Sequence, residues 1–451
     1  MVVAVAGGPD GCLRGDCLRT FTLPQVFASS PPEPPSGPVA APAPAIPRGS
    51  LEDPPTDRGL RRPRPDSRRG GGFPLPPGAA YCLAVYLITQ LATVAGTAVY
   101  LLSHPQQKID QLAAKWDGWW YLTIARHGYT TSLRYPTPSV SDEHHAYSAW
   151  AFFPGYPLLV RGVHALGHPS FLVAAVIASA VMGFFAVWAV HALGSAFGGP
   201  DVGRTAALLF AAWPGAAVFL QPYSEALFLA ATASCLLALV KQRWVTAGLV
   251  GAVAAATRPT GSALLAAVGV AALVHAVRHR RWRPLAAPVL AAAGPGAFAG
   301  YAWLRTGDVL AWRHAENLWM QHLDFSRDLV YTTLQALRAP GTFLGAPDGR
   351  VTLAALVPMW AGLAALVVVA VAAWRLRSRL DLPSVVYAAV TVFLILGSSA
   401  VAPRPRTMLA LVPAAVWVAA AWNPRRVRLV AWCLAPTLGV MSWLWLWEVT
   451  P

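Results

Sequence analysis

Charged residues are scarce in this sequence, and their scarcity excludes most soluble folds. Of the 451 residues, 12% are charged and 56% are hydrophobic, whereas a soluble domain carries about 25% charged residues. The mean hydropathy is +0.47. A soluble protein of this size needs a charged surface that this sequence cannot supply. We therefore expect an integral membrane protein whose partners include membrane lipids.

Cysteine patterns and metal-ligand patterns are also sparse. The five cysteines form no disulfide framework, and the N-terminal pair, Cys12 and Cys17, has no second pair to complete a metal site. The Asp-Glu-His-His run at 142–145 has the right chemistry for a metal, but the sequence contains no HExxH motif. We expect no metal and no cofactor.

The net charge of +15 raises the question of nucleic-acid binding, which usually needs one continuous basic surface. Here the basic residues occur in short clusters between apolar runs. That arrangement is typical of cytoplasmic loops in polytopic membrane proteins. We expect no nucleic-acid partner.

Residues 1–78 are predicted to be a disordered cytoplasmic tail. The part from Ser29 to Gly78 is rich in Pro, Gly and Arg, and such a composition cannot bury a core. No basic region precedes an apolar run of the length that a secretory signal needs. The remainder, 79–451, is predicted to be the membrane domain.

Eleven apolar runs predict an all-α polytopic protein with about eleven transmembrane helices. The stretch 152–168 is apolar but is broken by Pro154 and Pro157, so we expect it to be a re-entrant or interfacial helix. The predicted spans are 79–102, 170–193, 204–220, 224–240, 245–256, 261–277, 284–304, 352–374, 384–401, 407–422 and 428–447.

The distribution of charge predicts the orientation. With the N-terminus in the cytoplasm, four basic clusters fall in inside loops, whereas the long outer loops 103–151 and 305–350 carry equal numbers of acids and bases. The sequence thus predicts a multi-pass plasma-membrane protein. The same topology places four polar motifs on the extracytoplasmic side: Trp116–Tyr129, Gln221–Glu225, Thr257–Gly261 and Ala402–Arg406.

The motif at Trp116–Tyr129 predicts a short helix in the membrane interface, where Trp and Tyr accumulate. Asp117 lies near its N-terminus. It either caps the helix or takes part in chemistry, and its aromatic neighbours just outside the membrane favour chemistry. Trp116 and Tyr121 are candidates for binding substrate or shaping the site.

Two further motifs supply candidates for the same role. Tyr156 lies in FFPGYPL, which is otherwise a proline-broken amphipathic helix. Tyr223 and Glu225 lie in QPYSE between two spans. An acid at the start of a helix also suits the helix dipole, so Glu225 has an equally good structural interpretation.

Three arginines are candidates for binding a phosphate. Arg258 lies between two apolar helices, where an unpaired charge is costly. Arg404 and Arg406 lie outside, against the positive-inside trend. Guanidinium offers bidentate donors and a permanent charge, which suit phosphate. A lone outside arginine, however, is usually only solvated.

Four motifs carry a resemblance to a known family: WDGWWYLTIARHGY, AFFPGYPLLVR, QPYSEALFL and TRPTG, in this order over roughly 80–270. They resemble the PIG-V family, which comprises GPI mannosyltransferase II and its bacterial relatives in the GT-C superfamily. The resemblance implies a GT-C-like enzyme that takes mannose from a polyprenyl or dolichyl phosphate. It also implies an extracytoplasmic site with a catalytic acid in the first outer loop, which Asp117 matches.

The expected reaction is an inverting transfer to a hydroxyl of a lipid- or glycan-linked acceptor, with Asp117 as general base and the arginines on the lipid phosphate. Three alternatives stay open. A transporter or flippase of lipid-linked sugar would need polar groups near the bilayer midplane, where the spans carry few charges. A GT-C enzyme for another sugar and an inactive scaffold are the others.

Overall fold

The structure is a computed structural model that describes residues 78–108, 116–132, 148–319, 323–325, 327–338, 353–398 and 403–446. All of these residues belong to one compact unit, Phe73–Pro451. The predicted tail, 1–78, therefore lies outside the described residues except for Gly78.

Helices make up nearly all of the described chain, which confirms the predicted all-α class. The β structure in these residues is an isolated bridge between Leu323 and Ser398. The helices are α1 Ala79–Ser103, α2 Asp117–His127, α3 Gly155–Gly167, α4 Phe171–Gly198, α5 Pro200–Ala211, α6 Glu225–Val240, α7 Trp244–Ala255, α8 Ser262–His279, α9 Ala286–Thr306, α10 Ala311–Leu318, α11 Arg327–Arg338, α12 Leu353–Arg375, α13 Leu382–Gly397, α14 Pro405–Met408, α15 Val412–Ala421, α16 Pro424–Leu434 and α17 Thr437–Leu446.

Each of the eleven predicted spans coincides with an apolar helix or helix pair. Among the described residues, six helical segments are long and apolar enough to cross a membrane, or seven if the pair Pro200–Ala211 and Pro214–Leu220, bent by 75°, is one span. The other four predicted spans are the shorter apolar helices α6, α7, α13 and α15. The chain is an integral membrane protein.

The shorter helices explain how polar loops come to lie within the bundle. Helix α6 has 16 residues, about 24 Å at 1.5 Å per residue, and a hydrocarbon core is about 30 Å thick. Its N-terminal residue, Glu225, can therefore lie below the level at which a full-length span ends. The same holds for α7, which has 12 residues and leads to Arg258.

Small residues hold the bundle together, and large apolar residues face outward. Helix α4 buries Ala174, Ala178 and Gly183 and exposes Ile177 and Val181. In water this arrangement would be inverted, but in lipid there is no hydrophobic drive between helices. Close packing of small residues then favours association.

Two short helices lie in and directly after the loop 103–151, where the sequence predicted interfacial helices; their position relative to the membrane surface stays a prediction. Helix α2 begins at Asp117 and α3 begins at Gly155. Gly155 lies close to the loop after α7, because its amide donates to Ala256 O at 2.8 Å. A Cβ at Gly155 would come within 2.5 Å of Thr257 Oγ1. This close approach fixes the loop that carries Arg258.

Candidate active site

The four polar motifs that were predicted to share one face come together in the structure. They contribute the start of α2, the loop before α6, the loop before α8 and the loop before α14. Each motif follows an odd-numbered predicted span, so their meeting agrees with eleven alternating crossings. The side of the membrane on which they meet stays a prediction.

Arg406 is the centre of the assembled site. Its Nη2 donates to Asp117 Oδ2, and its Nε donates to Glu225 Oε1 at 2.5 Å. The Arg406 side chain is 13% exposed and that of Glu225 is 6% exposed. A buried guanidinium between two carboxylates is thus the main polar contact of the site.

Arg258 extends this network through the same Glu225 oxygen that Arg406 contacts. Its Nη1 lies 2.7 Å from Glu225 Oε1 and donates to Ser224 Oγ at 3.0 Å. Ser224 Oγ is also 2.7 Å from the Tyr121 hydroxyl. Two carboxylates and two guanidinium groups therefore balance in charge, which limits the cost of burying them.

The structure does not support a capping role for Asp117. Asp117 is the first residue of α2, and the N-cap position is Trp116, which makes no side-chain capping bond. Trp116 has a φ of 54°, in the left-handed region that non-glycine residues seldom adopt. This turn directs the Asp117 carboxylate toward Arg406 rather than toward its own helix.

The predicted tyrosines have different positions. Tyr121 lines the cavity, and burial raises the pKa of its phenol. Tyr156 lies behind Tyr121, with ring centroids 5.2 Å apart, and bonds to Ser179. The Tyr223 ring lies 4.7 Å from the Arg406 guanidinium carbon as a cation–π partner. Tyr156 and Tyr223 shape the site from outside the cavity lining.

The first residue of α14, Pro405, is anchored by the segment that follows α5. Trp213 Nε1 donates to Pro405 O at 2.7 Å, and a Cβ added to Gly215 would lie 2.2 Å from the same oxygen. Only glycine allows this approach. Arg404 and Arg406 lie on either side of Pro405, and burial, followed by the charge of Arg406, lowers the pKa of Arg404.

A cavity of about 560 Å³ opens onto this network. Its polar part is lined by Asp117, Glu225 and the three predicted arginines, whereas Phe228, Leu229, Leu394 and Ile395 line an apolar part between α6 and α13. Sequence analysis missed a further wall made of Trp312, Arg313, Glu316 and Trp319. Their spacing along one helical face within an outer loop is the signal that could have identified them.

The predicted phosphate ligands are all present at the cavity, but two of them already have carboxylate partners. Arg258 contacts Glu225, and Arg406 contacts both Glu225 and Asp117. Their role toward a phosphate stays a prediction. Any phosphate there would share these guanidinium groups with the carboxylates.

The Asp-Glu-His-His run at 142–145 lies outside the described residues. Among the residues that the structure describes, no group of three His, Cys, Asp or Glu side chains is placed to hold a metal ion.

Sequence comparison relates the chain to one enzyme. No family model matches it. It is 32% identical over 174 residues to GPI alpha-1,6-mannosyltransferase 2 from Rattus norvegicus, and equally to the same enzyme from Mus musculus. Each alignment covers 35% of this chain and 32% of the relative. The chain thus spans about a third of the length of these relatives. This match to a GPI mannosyltransferase confirms the resemblance to the PIG-V family that the motifs indicated.

Structural comparison finds the oligosaccharyltransferase of Archaeoglobus fulgidus. The apo form aligns with a TM-score of 0.45 and 14% identity, covering 81% of this chain and 56% of that one. Its complex with an inhibitory peptide and a dolichol-phosphate aligns with a TM-score of 0.44 and 14% identity, covering 81% and 55%. The fold assignment rests on the helices described above and not on this distant likeness.

Proposed function

We propose that the protein is a glycosyltransferase that transfers a mannosyl residue from a polyprenyl-phosphate donor to a hydroxyl of a lipid- or glycan-linked acceptor. One observation carries the proposal. The Asp117–Arg406–Glu225–Arg258 network lies at the head of a cavity whose other part is apolar and runs between membrane helices. The partial match to GPI alpha-1,6-mannosyltransferase 2 supports the choice of mannose.

The two parts of the cavity suit the two parts of a lipid-linked sugar. Phe228, Leu229, Leu394 and Ile395 offer an apolar surface on α6 and α13, on which an isoprenyl chain buries its hydrocarbon. Arg258 and Arg404 lie at the polar part, where guanidinium groups attract a phosphodiester. The donor would then enter from the lipid with its sugar near Asp117.

Asp117 is suited to act as the general base. Arg406 holds its Oδ2, the side chain is 31% exposed, and its Oδ1 has no hydrogen-bond partner among the described residues. The held oxygen orients the carboxylate, and the other oxygen can accept the proton of an acceptor hydroxyl. General-base catalysis of this kind contributes about 10²–10⁴-fold.

The proposed chemistry is one displacement. The acceptor oxygen forms a bond to the anomeric carbon while the bond from that carbon to the lipid phosphate oxygen breaks, and the acceptor proton moves to Asp117. The leaving phosphate takes the electron pair, and Arg258 and Arg404 stabilise its charge. A single displacement inverts the anomeric carbon. No cofactor is required.

The proposal includes a side of the membrane. Basic clusters in the loops opposite the site favour a cytoplasmic location for those loops. The active site would then be extracytoplasmic, and the N-terminus would be cytoplasmic.

The test is transfer by the purified full-length protein in lipid nanodiscs. Radiolabelled polyprenyl-phosphate-mannose is supplied with a panel of mannosides and extracted membrane glycolipids, and the product is identified. We expect labelled product with mannose as the transferred sugar. Product only from a glucosyl or arabinosyl donor would contradict mannose specificity. Movement of label across a vesicle membrane without product would indicate a flippase instead.

A further inference from the structure

One face of α10 forms a cavity wall to which nothing above assigns a role. Trp312, Glu316 and Trp319 follow one another at intervals of four and three residues, so they lie on one side of the helix. All three line the cavity. The adjacent stripe, Ala311 and Ala315, is fully buried in an aromatic cluster. The helix thus packs by one stripe and presents the other to the cavity.

This wall is fixed in place at both ends. Before α10, Asp308 accepts from the Leu310 amide at 2.9 Å and lies 2.6 Å from His314 Nδ1. At the other end, Trp319 Nε1 donates to Ser148 O at 3.1 Å. The wall is therefore formed before any ligand binds, which lowers the entropic cost of binding.

Glu316 is a carboxylate that lacks hydrogen-bond donors. Its side chain is 13% exposed, and Arg313 Nη1 is 3.7 Å away, beyond hydrogen-bond range. Its carboxylate has no hydrogen bond in the described part of the chain, and burial raises its pKa despite Arg313. The partly exposed carboxylate lines the cavity, so it is available to accept hydrogen bonds there. A ligand in the cavity would supply them.

The chemistry of the wall selects among ligands. A phosphodiester carries acceptors but no donors, so it cannot donate to Glu316, although Arg313 in the same wall attracts anions. A pyranose has hydroxyl donors along its edges and C–H groups on its faces. The hydroxyls can donate to Glu316, and an apolar face can pack against an indole ring. A saccharide satisfies both features at once.

We propose that Trp312, Glu316 and Trp319 form the subsite for the acceptor, and that the acceptor is itself a glycoside. This assignment rests on the proposed function. The arginines take the phosphate of the donor at one part of the cavity. The wall formed by the two tryptophans and Glu316 then holds the acceptor sugar, with a hydroxyl directed to Asp117. Glu316 positions the acceptor and does not accept the proton.

Saccharide binding without donor tests the subsite by itself. Methyl α-D-mannopyranoside and methyl α-D-glucopyranoside are titrated against the full-length protein in nanodiscs by saturation-transfer difference NMR. We expect one of these two glycosides to bind saturably to the wild type. Glu316→Ala should weaken it about tenfold, as expected for loss of a charged hydrogen bond, and Trp312→Ala should weaken it to a similar degree.

Asn317→Ala is the matched control, because Asn317 is exposed on the same helix and does not line the cavity. It should bind like the wild type, and Trp312→Phe should retain most binding because the ring is kept. Thermal unfolding midpoints verify that all variants are folded. Absence of saturable binding to the wild type, or unchanged binding by Glu316→Ala and Trp312→Ala, would overturn the subsite.

Kinetics separate an acceptor subsite from a donor subsite. With polyprenyl-phosphate-mannose as donor and the glycoside as acceptor, Glu316→Ala should raise the KM for the glycoside and leave the donor KM unchanged. A raised donor KM alone would overturn the acceptor assignment. Glycoside binding that depends on Glu316, in a protein that transfers no mannose, would support the subsite and refute the proposed reaction.

Discussion

Arginines at the two ends of the helix bundle have opposite environments. At the site end, Arg406 is 13% exposed and contacts two carboxylates. At the opposite end, Arg278 in the last turn of α8 and Arg281 and Arg283 between α8 and α9 are exposed. An ion pair at that end, Arg204 with Asp201, spans 3.9 Å between exposed side chains.

This difference separates two uses of the same side chain. Exposed arginines in short loops bias the orientation of a membrane protein, and individually they contribute little to its stability. Buried arginines must be paired, because an uncompensated buried charge is costly. We infer that the exposed set governs insertion and that the buried set governs chemistry. The following experiments probe that division.

The largest expected effect is an all-or-none difference in cysteine labelling between the two ends of the bundle. In a background without the native cysteines, Asn317→Cys should react with a membrane-impermeant maleimide in intact cells. Arg281→Cys should react only after permeabilisation, because the basic loops are expected in the cytoplasm. The reverse labelling pattern would contradict the proposed orientation.

Arg406→Ala should be the most destabilising single change among the arginines. It leaves Glu225 buried without one of its two cations and leaves Asp117 without its described partner, and breaking such a pair typically costs about 3–5 kcal/mol. The midpoint of thermal unfolding in nanodiscs should fall. Arg281→Ala is the control, with an expected change within about 0.5 kcal/mol. Equal midpoints for the two variants would remove the distinction between the ends.

Arg258→Lys should have a smaller effect, on donor use. The charge is kept, but lysine lacks the planar fork that can contact Ser224, Glu225 and a phosphate together. We expect the donor KM to rise about tenfold, the equivalent of one charged hydrogen bond. Arg278→Lys, at the opposite end, should have no effect. An unchanged donor KM in Arg258→Lys would make Arg258 a structural residue.

Sequence reasoning located the site but not its contacts. The positions of apolar runs and basic clusters depend on local composition, so they predicted the spans and the meeting of four loops. The bond between Arg406 and Asp117 joins residues 289 positions apart. Such pairing depends on how helices pack, which one sequence does not reveal.

Helix α10 was missed for a different reason. It has eight residues and lies in the loop 305–350 between two predicted spans, so it has no long apolar run to mark it. In the sequence, its charged residues were used only to compare the numbers of acids and bases in the loop 305–350. The sequence also left open whether Asp117 caps its helix. Capping depends on the residue at which the helix begins, and sequence locates that residue only within a few positions.

The most direct test of the account is the transfer rate of Asp117→Asn. Asparagine keeps the size of the side chain and is a good N-terminal cap, but it cannot accept the proton. The account predicts normal insertion, retained glycoside and donor binding, and a transfer rate lower by roughly 10²-fold or more. Normal turnover by a folded Asp117→Asn protein would contradict the assignment of Asp117 as the base.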